Sequence, residues 1–316
     1  VGKIAFVFPG QGSQAVGMAQ DVAGRFPEIK ALFDKADARL GYQLSRIIFN
    51  GPAETLTLTE NAQPAILTAS VAMLSLLEKE GLVPDYVAGH SLGEYSALVA
   101  AGALAFEDAV YAVRMRGLYM EEAVPAGTGA MAAVLGLDAA RLAEVCDEVS
   151  RSGDLVQLAN LNSPGQIAIS GTKAGVEKAS AAAKEAGAKR VIPLNVSGPF
   201  HSELMKPAAE KLKAVLEAIA IADARVPVVA NVTADLVTDR GMIKELLLRQ
   251  IYSPVRWIES VEKLVALGVD TFVEVGPGKV LAGLIKKIER SARVLNVNDY
   301  ESFEKTVADL KGGSGA

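Results

Sequence analysis

Ser91 stands in Val87-Ala-Gly-His-Ser-Leu-Gly-Glu94, a short apolar run that ends in glycine-x-serine-x-glycine. That spacing suits a strained strand-to-helix turn, where small flanking residues let the chain fold tightly and expose the serine hydroxyl as a nucleophile. A plain turn with a serine capping a helix carries the same letters, so the surroundings must decide. A nucleophilic serine needs a base, and the chain has 2 histidines. His90 adjoins Ser91, and neighbouring side chains in a tight turn point different ways. His201, in Ser197-Gly-Pro-Phe-His-Ser-Glu-Leu-Met205, remains as the base, on an irregular loop of the kind that carries sites. The group that orients the imidazole is open: several acids lie between Ser91 and His201 without distinctive context, and a backbone or amide carbonyl is the alternative.

Two further stretches bear on the chemistry. Gly10-x-Gly12-x-x-Ala15 after the first apolar run fits a relaxed dinucleotide fingerprint, which wants a second strand about 20 residues on, ending in an acid. Glu28 to Leu40 occupies that place and is helical in spacing. The use left for the glycine-rich turn is to aim backbone N–H groups at a developing oxyanion. Arg114 and Arg116 share an otherwise apolar helical segment. A surface arginine there would snorkel; one that points inward is a carboxylate receptor and makes the acyl group acidic.

Positioning these residues takes alternating strands and helices. Ile4 to Phe8 reads as a strand, followed by a long helical pattern through Phe26, Ile29, Leu32 and Phe33. Asn61 to Glu80 reads as a helix, Tyr86 to Ala88 as a strand and Glu94 to Ala101 as the helix behind the serine turn. The alternation predicts a parallel sheet covered on both faces. From Gly129 the order becomes β-α-β-β-α-β: Ala130–Leu137, Asp138–Ser150, Leu155–Asn162, Gln166–Gly171, Lys173–Ala186 and Arg190–Val196. That is the ferredoxin-like unit. Val226–Val232 and Thr271–Gly278 then resume the sheet pattern. The expected architecture is α/β, with a hydrolase-like parallel-sheet core (1–125 plus 198–310), an inserted ferredoxin-like subdomain (126–197) and a flexible tail (311–316).

Half of the 316 residues are hydrophobic, enough for a large core. The apolar runs Pro64–Leu77 and Tyr95–Phe106 fall short of the roughly 20 residues of a membrane span, and the N-terminal run does not read as a signal peptide. One cysteine and two histidines leave no cysteine cage or histidine-rich metal site, so no bound metal or cofactor is expected, and a reducing cytoplasm is the simplest setting. A net charge of −5 argues against general nucleic-acid affinity.

Nine stretches in register resemble the malonyl-CoA:acyl carrier protein transacylase family of bacterial type II fatty-acid synthesis. They are Phe8–Gln14, Asn61–Ala65, Gly89–Glu94, Arg116-Gly-x-x-Met120, Ala123–Met131, Asn162–Gln166, Pro199–Ser202, Gln250–Trp257 and Val273–Gly278. The resemblance implies an acyltransferase that moves a malonyl group from malonyl-CoA to the phosphopantetheine thiol of acyl carrier protein, by a ping-pong route through a malonyl-serine. It implies Ser91 as nucleophile, His201 as base and the backbone N–H groups of Gln11 and Leu92 as oxyanion hole. It also implies Arg116 on the malonyl carboxylate, the Gln250 carbonyl orienting the histidine, Gln63 and Asn162 lining the site, and Phe200 favouring malonyl over branched acyl groups. The carrier proteins of this pathway are acidic, so a transient docking surface should be basic, with Lys189, Arg190, Lys286, Lys287 and Arg290 as candidates. Two rivals stand beside this reading. A thioesterase on the same turn needs an acid in its triad and no acceptor; a non-catalytic carrier-binding module needs Ser91 or His201 missing, and both are present.

Overall fold

The computed structural model describes residues 2–312. Among those residues ten strands form two sheets. The larger holds β1 (Lys3–Phe8), β2 (Tyr86–Gly89), β7 (Val228–Val229), β8 (Leu236–Val237), β9 (Val269–Val275) and β10 (Arg293–Val297), in the order β10-β9-β1-β2-β7-β8. Its pairings are parallel except at β7–β8, an antiparallel edge. Alternation along β1 sends Phe6 and Phe8 into one core, with the buried helix Thr59–Lys79. Ala5 and Val7 face the other, with Trp257, Val261 and Leu284. Burial on both faces is why β1 reads as an unbroken apolar run.

The smaller sheet holds β3 (Gly129–Leu135), β4 (Val156–Ser163), β5 (Gln166–Thr172) and β6 (Arg190–Pro193), in the order β4-β5-β3-β6 with every pairing antiparallel. Helices Ala139–Arg151 and Lys173–Glu185 make the two crossovers, capped by Asp138 and Thr172 side chains. Strand order and connectivity are ferredoxin-like.

Several elements differ from expectation for local reasons. The helical pattern through Phe26 is two helices, Gln20–Arg25 and Pro27–Leu40. Phe26 between them is extended (φ −119°, ψ 112°), as the residue before proline prefers. Val226–Val232 yields only the two residues of β7: Pro227 has no N–H to give a ladder, and the chain turns back at Ala234 (φ 52°) into β8. The apolar run Arg190–Val196 leaves the sheet after Pro193. Lys311 and Gly312 belong to the helix Tyr300–Gly312, which shortens the expected tail; its remainder, 313–316, lies outside the described residues. Among those residues no helix is long and apolar enough to cross a membrane, and Pro64–Leu77 lies within the buried helix Thr59–Lys79.

Candidate active site

The serine turn joins β2 to the helix Gly93–Ala100 at the carboxyl edge of the parallel sheet, where α/β proteins open their clefts. Ser91 has φ 53°, a left-handed conformation that a residue with a Cβ avoids. The two flanking glycines make the turn sterically feasible. A Cβ on Gly89 would lie 1.9 Å from Gly93 C, and one on Gly93 would lie 2.1 Å from the Phe8 carbonyl oxygen.

Side-chain amides from the next strand and helix hold this turn from beneath. Asn231, just past β7, accepts the Ser91 N–H at 2.8 Å and donates to the Gly89 carbonyl at 2.6 Å. Gln250, at the end of helix Arg240–Gln250, donates Nε2–H to the Ser91 carbonyl at 2.9 Å. Both backbone polar groups of the strained residue are therefore fixed.

Ser91 Oγ lies 2.7 Å from His201 Nε2, although the two residues are 110 apart in the chain. His201 Nδ1 is 2.9 Å from the backbone carbonyl of Gln250. A carbonyl only accepts, so Nδ1 carries the proton and Nε2 keeps the lone pair that faces the serine hydroxyl. Burial, and next the positive charge of Arg116, pushes the imidazole down to about 3. His201 also has a left-handed backbone, φ 57°. The Gln157 amide, on β4, grips the chain there: it donates to the His201 carbonyl at 3.3 Å and accepts the Glu203 N–H at 3.0 Å.

Of the two arginines, Arg116 points inward and is 1% exposed. It donates to Gln63 Oε1 at 2.7 Å, to Gln250 Oε1 at 2.9 Å and to Ser91 Oγ at 3.2 Å. Its Nε–H has no partner, and no carboxylate of the described residues comes within 4.0 Å. Arg114 turns away, stacking on Tyr42 and donating to the Glu60 carbonyl and Asn61.

Ser91 and His201 open onto a cleft of about 790 Å³ between the two sheets, with Arg116 buried directly behind the Ser91 hydroxyl. Gln11, Asn162 and Phe200 line it together with Ser91 and His201. Asn162 Oδ1 lies 2.7 Å from His90 Nε2, which ties β4 to the serine turn. The backbone N–H groups of Gln11 and of the buried Leu92 find no acceptor among the described residues. Gln63 is fully buried behind Arg116 and does not line the cleft. No cluster of three or more metal-ligating side chains occurs among the described residues.

Sequence reasoning left Asn231, Gln157 and Glu94 without roles. Glu94, two residues past Leu92, is 3% exposed; it accepts the Asn231 N–H at 2.6 Å and Gln250 Nε2–H at 3.2 Å. Its signal was available, as the sole charge in the apolar helix Gly-Glu-Tyr-Ser-Ala-Leu-Val-Ala. Asn231 offered a weaker one, a polar residue interrupting the apolar run Val226–Val232.

A serine–histidine pair on a hydrolase-like core, with a ferredoxin-like insertion walling the cleft, defines an acyl-transfer protein. The acyl transferase domain family matches residues 5–312, and the chain belongs to that family. Within it, the chain is 62% identical over 309 residues to the malonyl CoA-acyl carrier protein transacylase of Bacillus subtilis (strain 168), covering 98% of each chain. It is 53% identical over 287 residues to the protein of that name from Salmonella typhimurium, covering 90% of this chain and 93% of the relative. An acyl carrier protein S-malonyltransferase from Vibrio cholerae superposes with a TM-score of 0.94 at 48% identity, over 96% of this chain and 99% of that one. A malonyl-transacylase solved in complex with a type II PKS acyl-carrier protein gives 0.94 at 46% identity, over 97% and 99%.

Proposed function

We propose that the chain transfers the malonyl group of malonyl-CoA to the phosphopantetheine thiol of acyl carrier protein, supplying extender units for fatty-acid synthesis. The observation that carries this reading is Arg116, a buried guanidinium beside the nucleophile with a free N–H and no carboxylate within ion-pair distance. Burying such a charge unpaired is costly, and an acyl group that brings its own carboxylate supplies the missing partner. Acetyl does not.

The steps follow from the geometry. Ser91 Oγ attacks the thioester carbonyl as its proton passes to His201 Nε2. The tetrahedral oxyanion is assigned to the backbone N–H groups of Gln11 and Leu92, which have no acceptor among the described residues. The Gln250 carbonyl takes the hydrogen bond of Nδ1–H and stabilises the imidazolium. CoA leaves as its sulfur takes the proton from Nε2. The carrier thiol then gives its proton to His201 and attacks the malonyl-serine carbonyl; the Ser91 Oγ–acyl bond breaks as Oγ takes that proton back from Nε2, restoring the starting pair. Side chains, backbone groups and the two substrates supply every group in this sequence, so the reading calls for no bound cofactor. Arg116 pins the carboxylate so that the carrier thiol meets the acyl carbon ahead of water. Phe200 narrows the cleft against branched acyl groups.

A thioesterase with an acid-oriented histidine fits less well, because the partner of His201 Nδ1 is a backbone carbonyl. For docking, Lys189, Arg190, Lys286, Lys287 and Arg290 are all exposed, and they offer positive charge to an acidic carrier. The reading takes the cytoplasm as the setting, where CoA thioesters and carrier meet.

Arg116→Ala tests the assignment. The ratio of kcat/KM for malonyl-CoA to that for acetyl-CoA should fall about 10- to 100-fold, the worth of a charge-assisted hydrogen bond. An unchanged ratio would overturn it.

A further inference from the structure

One buried carboxylate behind the cleft takes no part in those steps. Glu94 sits in the first turn of the helix after Ser91, and the Gln250 side chain lies between it and Arg116. Arg116 Nη2–H donates to Gln250 Oε1 at 2.9 Å, and Gln250 Nε2–H donates to Glu94 Oε2 at 3.2 Å. One amide thus joins a cation to an anion, its oxygen toward the first and its N–H toward the second, so its dipole couples the two charges without direct contact. The other ionisable groups of the cluster are Tyr95, whose ring lies 5.6 Å from the Arg116 guanidinium, and His201 and His90 across Ser91.

We propose that Glu94 sets the acyl specificity of the cleft through Gln250 and Arg116: it is the resident counter-charge of the guanidinium, and a substrate carboxylate competes with it for that charge. The proposal rests on Arg116 being the carboxylate receptor. Glu94 does not touch substrate; it tunes the residue that does. An ionised Glu94 partly compensates Arg116, so a malonyl carboxylate gains less on entering. With Glu94 protonated or replaced by a neutral side chain, it gains more. Burial pushes the Glu94 carboxyl up to about 7, against the pull of the Asn231 N–H and of Arg116. The counter-charge therefore switches near neutrality, while a malonyl carboxylate stays ionised there. Preference for malonyl over acetyl should accordingly decline as pH rises through about 7.

The test compares the malonyl:acetyl ratio of kcat/KM across neutral pH in wild type, Glu94→Gln and Arg116→Ala. In Glu94→Gln the ratio should rise about tenfold above the alkaline wild-type value, the worth of one unit of pKa perturbation, and become independent of pH. A purely structural role would depress both substrates together and leave the ratio and its pH profile alone; that result overturns the proposal. A ratio that falls in Arg116→Ala but is unmoved in Glu94→Gln rejects Glu94 and keeps Arg116, whereas a ratio unmoved in both rejects the receptor itself. Should Glu94→Gln not fold, calorimetry of malonyl-CoA binding to Ser91→Ala/His201→Ala, in buffers of different ionisation heat, decides. Net proton uptake near neutral pH supports the proposal, and none overturns it.

Discussion

His201 is held neutral by its surroundings. It is buried, it faces the Arg116 charge, and the partner of its Nδ1, the Gln250 carbonyl, fixes the tautomer without bringing a negative charge. In the unfolded chain the imidazole takes a proton below about 6.5, whereas in the folded chain it resists protonation down to about 3. Between those values the unfolded state binds more protons, so this group lowers stability as pH falls through that window. Glu94 has the opposite sign. Its raised value, about 7, makes its contribution fullest below the ordinary 4.5 and lost as pH climbs toward 7. Urea unfolding of His201→Gln between pH 6.5 and 4 should show a shallower acid-side loss of stability than wild type; an identical slope would contradict the burial argument. Ser91 and His201 were legible in the sequence because one motif needs a base and the chain offers so few. Gln250 was not legible from its side-chain chemistry, since any residue there supplies a carbonyl. Only the resemblance pointed to it.

At the scale of elements, the site depends on how tightly the first two parallel strands and the helix after Ser91 approach one another. Gly93 packs its Cα against the end of β1, and Gly89 packs against Gly93 in turn. Gly93→Ala should therefore destabilise the protein by about 1–3 kcal/mol, the usual cost of overpacking, and slow serine acylation by displacing Ser91 from His201. Thermal unfolding and acylation by malonyl-CoA read the two effects, and a variant with wild-type melting and rate would show that the turn tolerates a Cβ. The strand-turn-helix was legible because its glycines and apolar run are local. The β7–β8 edge was not, because Val226–Val232 has the composition of a full strand. Pro227 and the turn at Ala234 limit it to two residues. The amide of Asn231, which stands just past that short strand, then meets a turn 140 residues earlier. No local pattern encodes that contact.

At the scale of the molecule, the cleft exists because two sheets of different construction meet across it. The parallel sheet presents the nucleophile, and the ferredoxin-like unit reaches over through Asn162 to His90 and through Gln157 to the chain at His201. Val255 accepts the Leu161 N–H at 2.9 Å and donates its own N–H to the Ala159 carbonyl at 2.8 Å, a parallel bridge that joins β4 to the core. The order of strands and helices in each part was legible from apolar periodicity, and so was the insertion of one in the other. Their mutual packing was not, because it rests on contacts distant in sequence: polar ones between residues 44 to 96 apart, and Met131, Ala159 and Ala168 joining the core of the parallel sheet. The function proposed above requires a covalent intermediate on Ser91 in that cleft that passes to a carrier thiol faster than to water.

The most direct test of that claim is the intact mass of the protein after brief mixing with malonyl-CoA, beside Ser91→Ala treated alike. The account predicts a malonyl adduct on the wild type alone, discharged by holo acyl carrier protein faster than by water. No adduct, with CoA released steadily in the absence of an acceptor, would contradict it and make the chain a thioesterase.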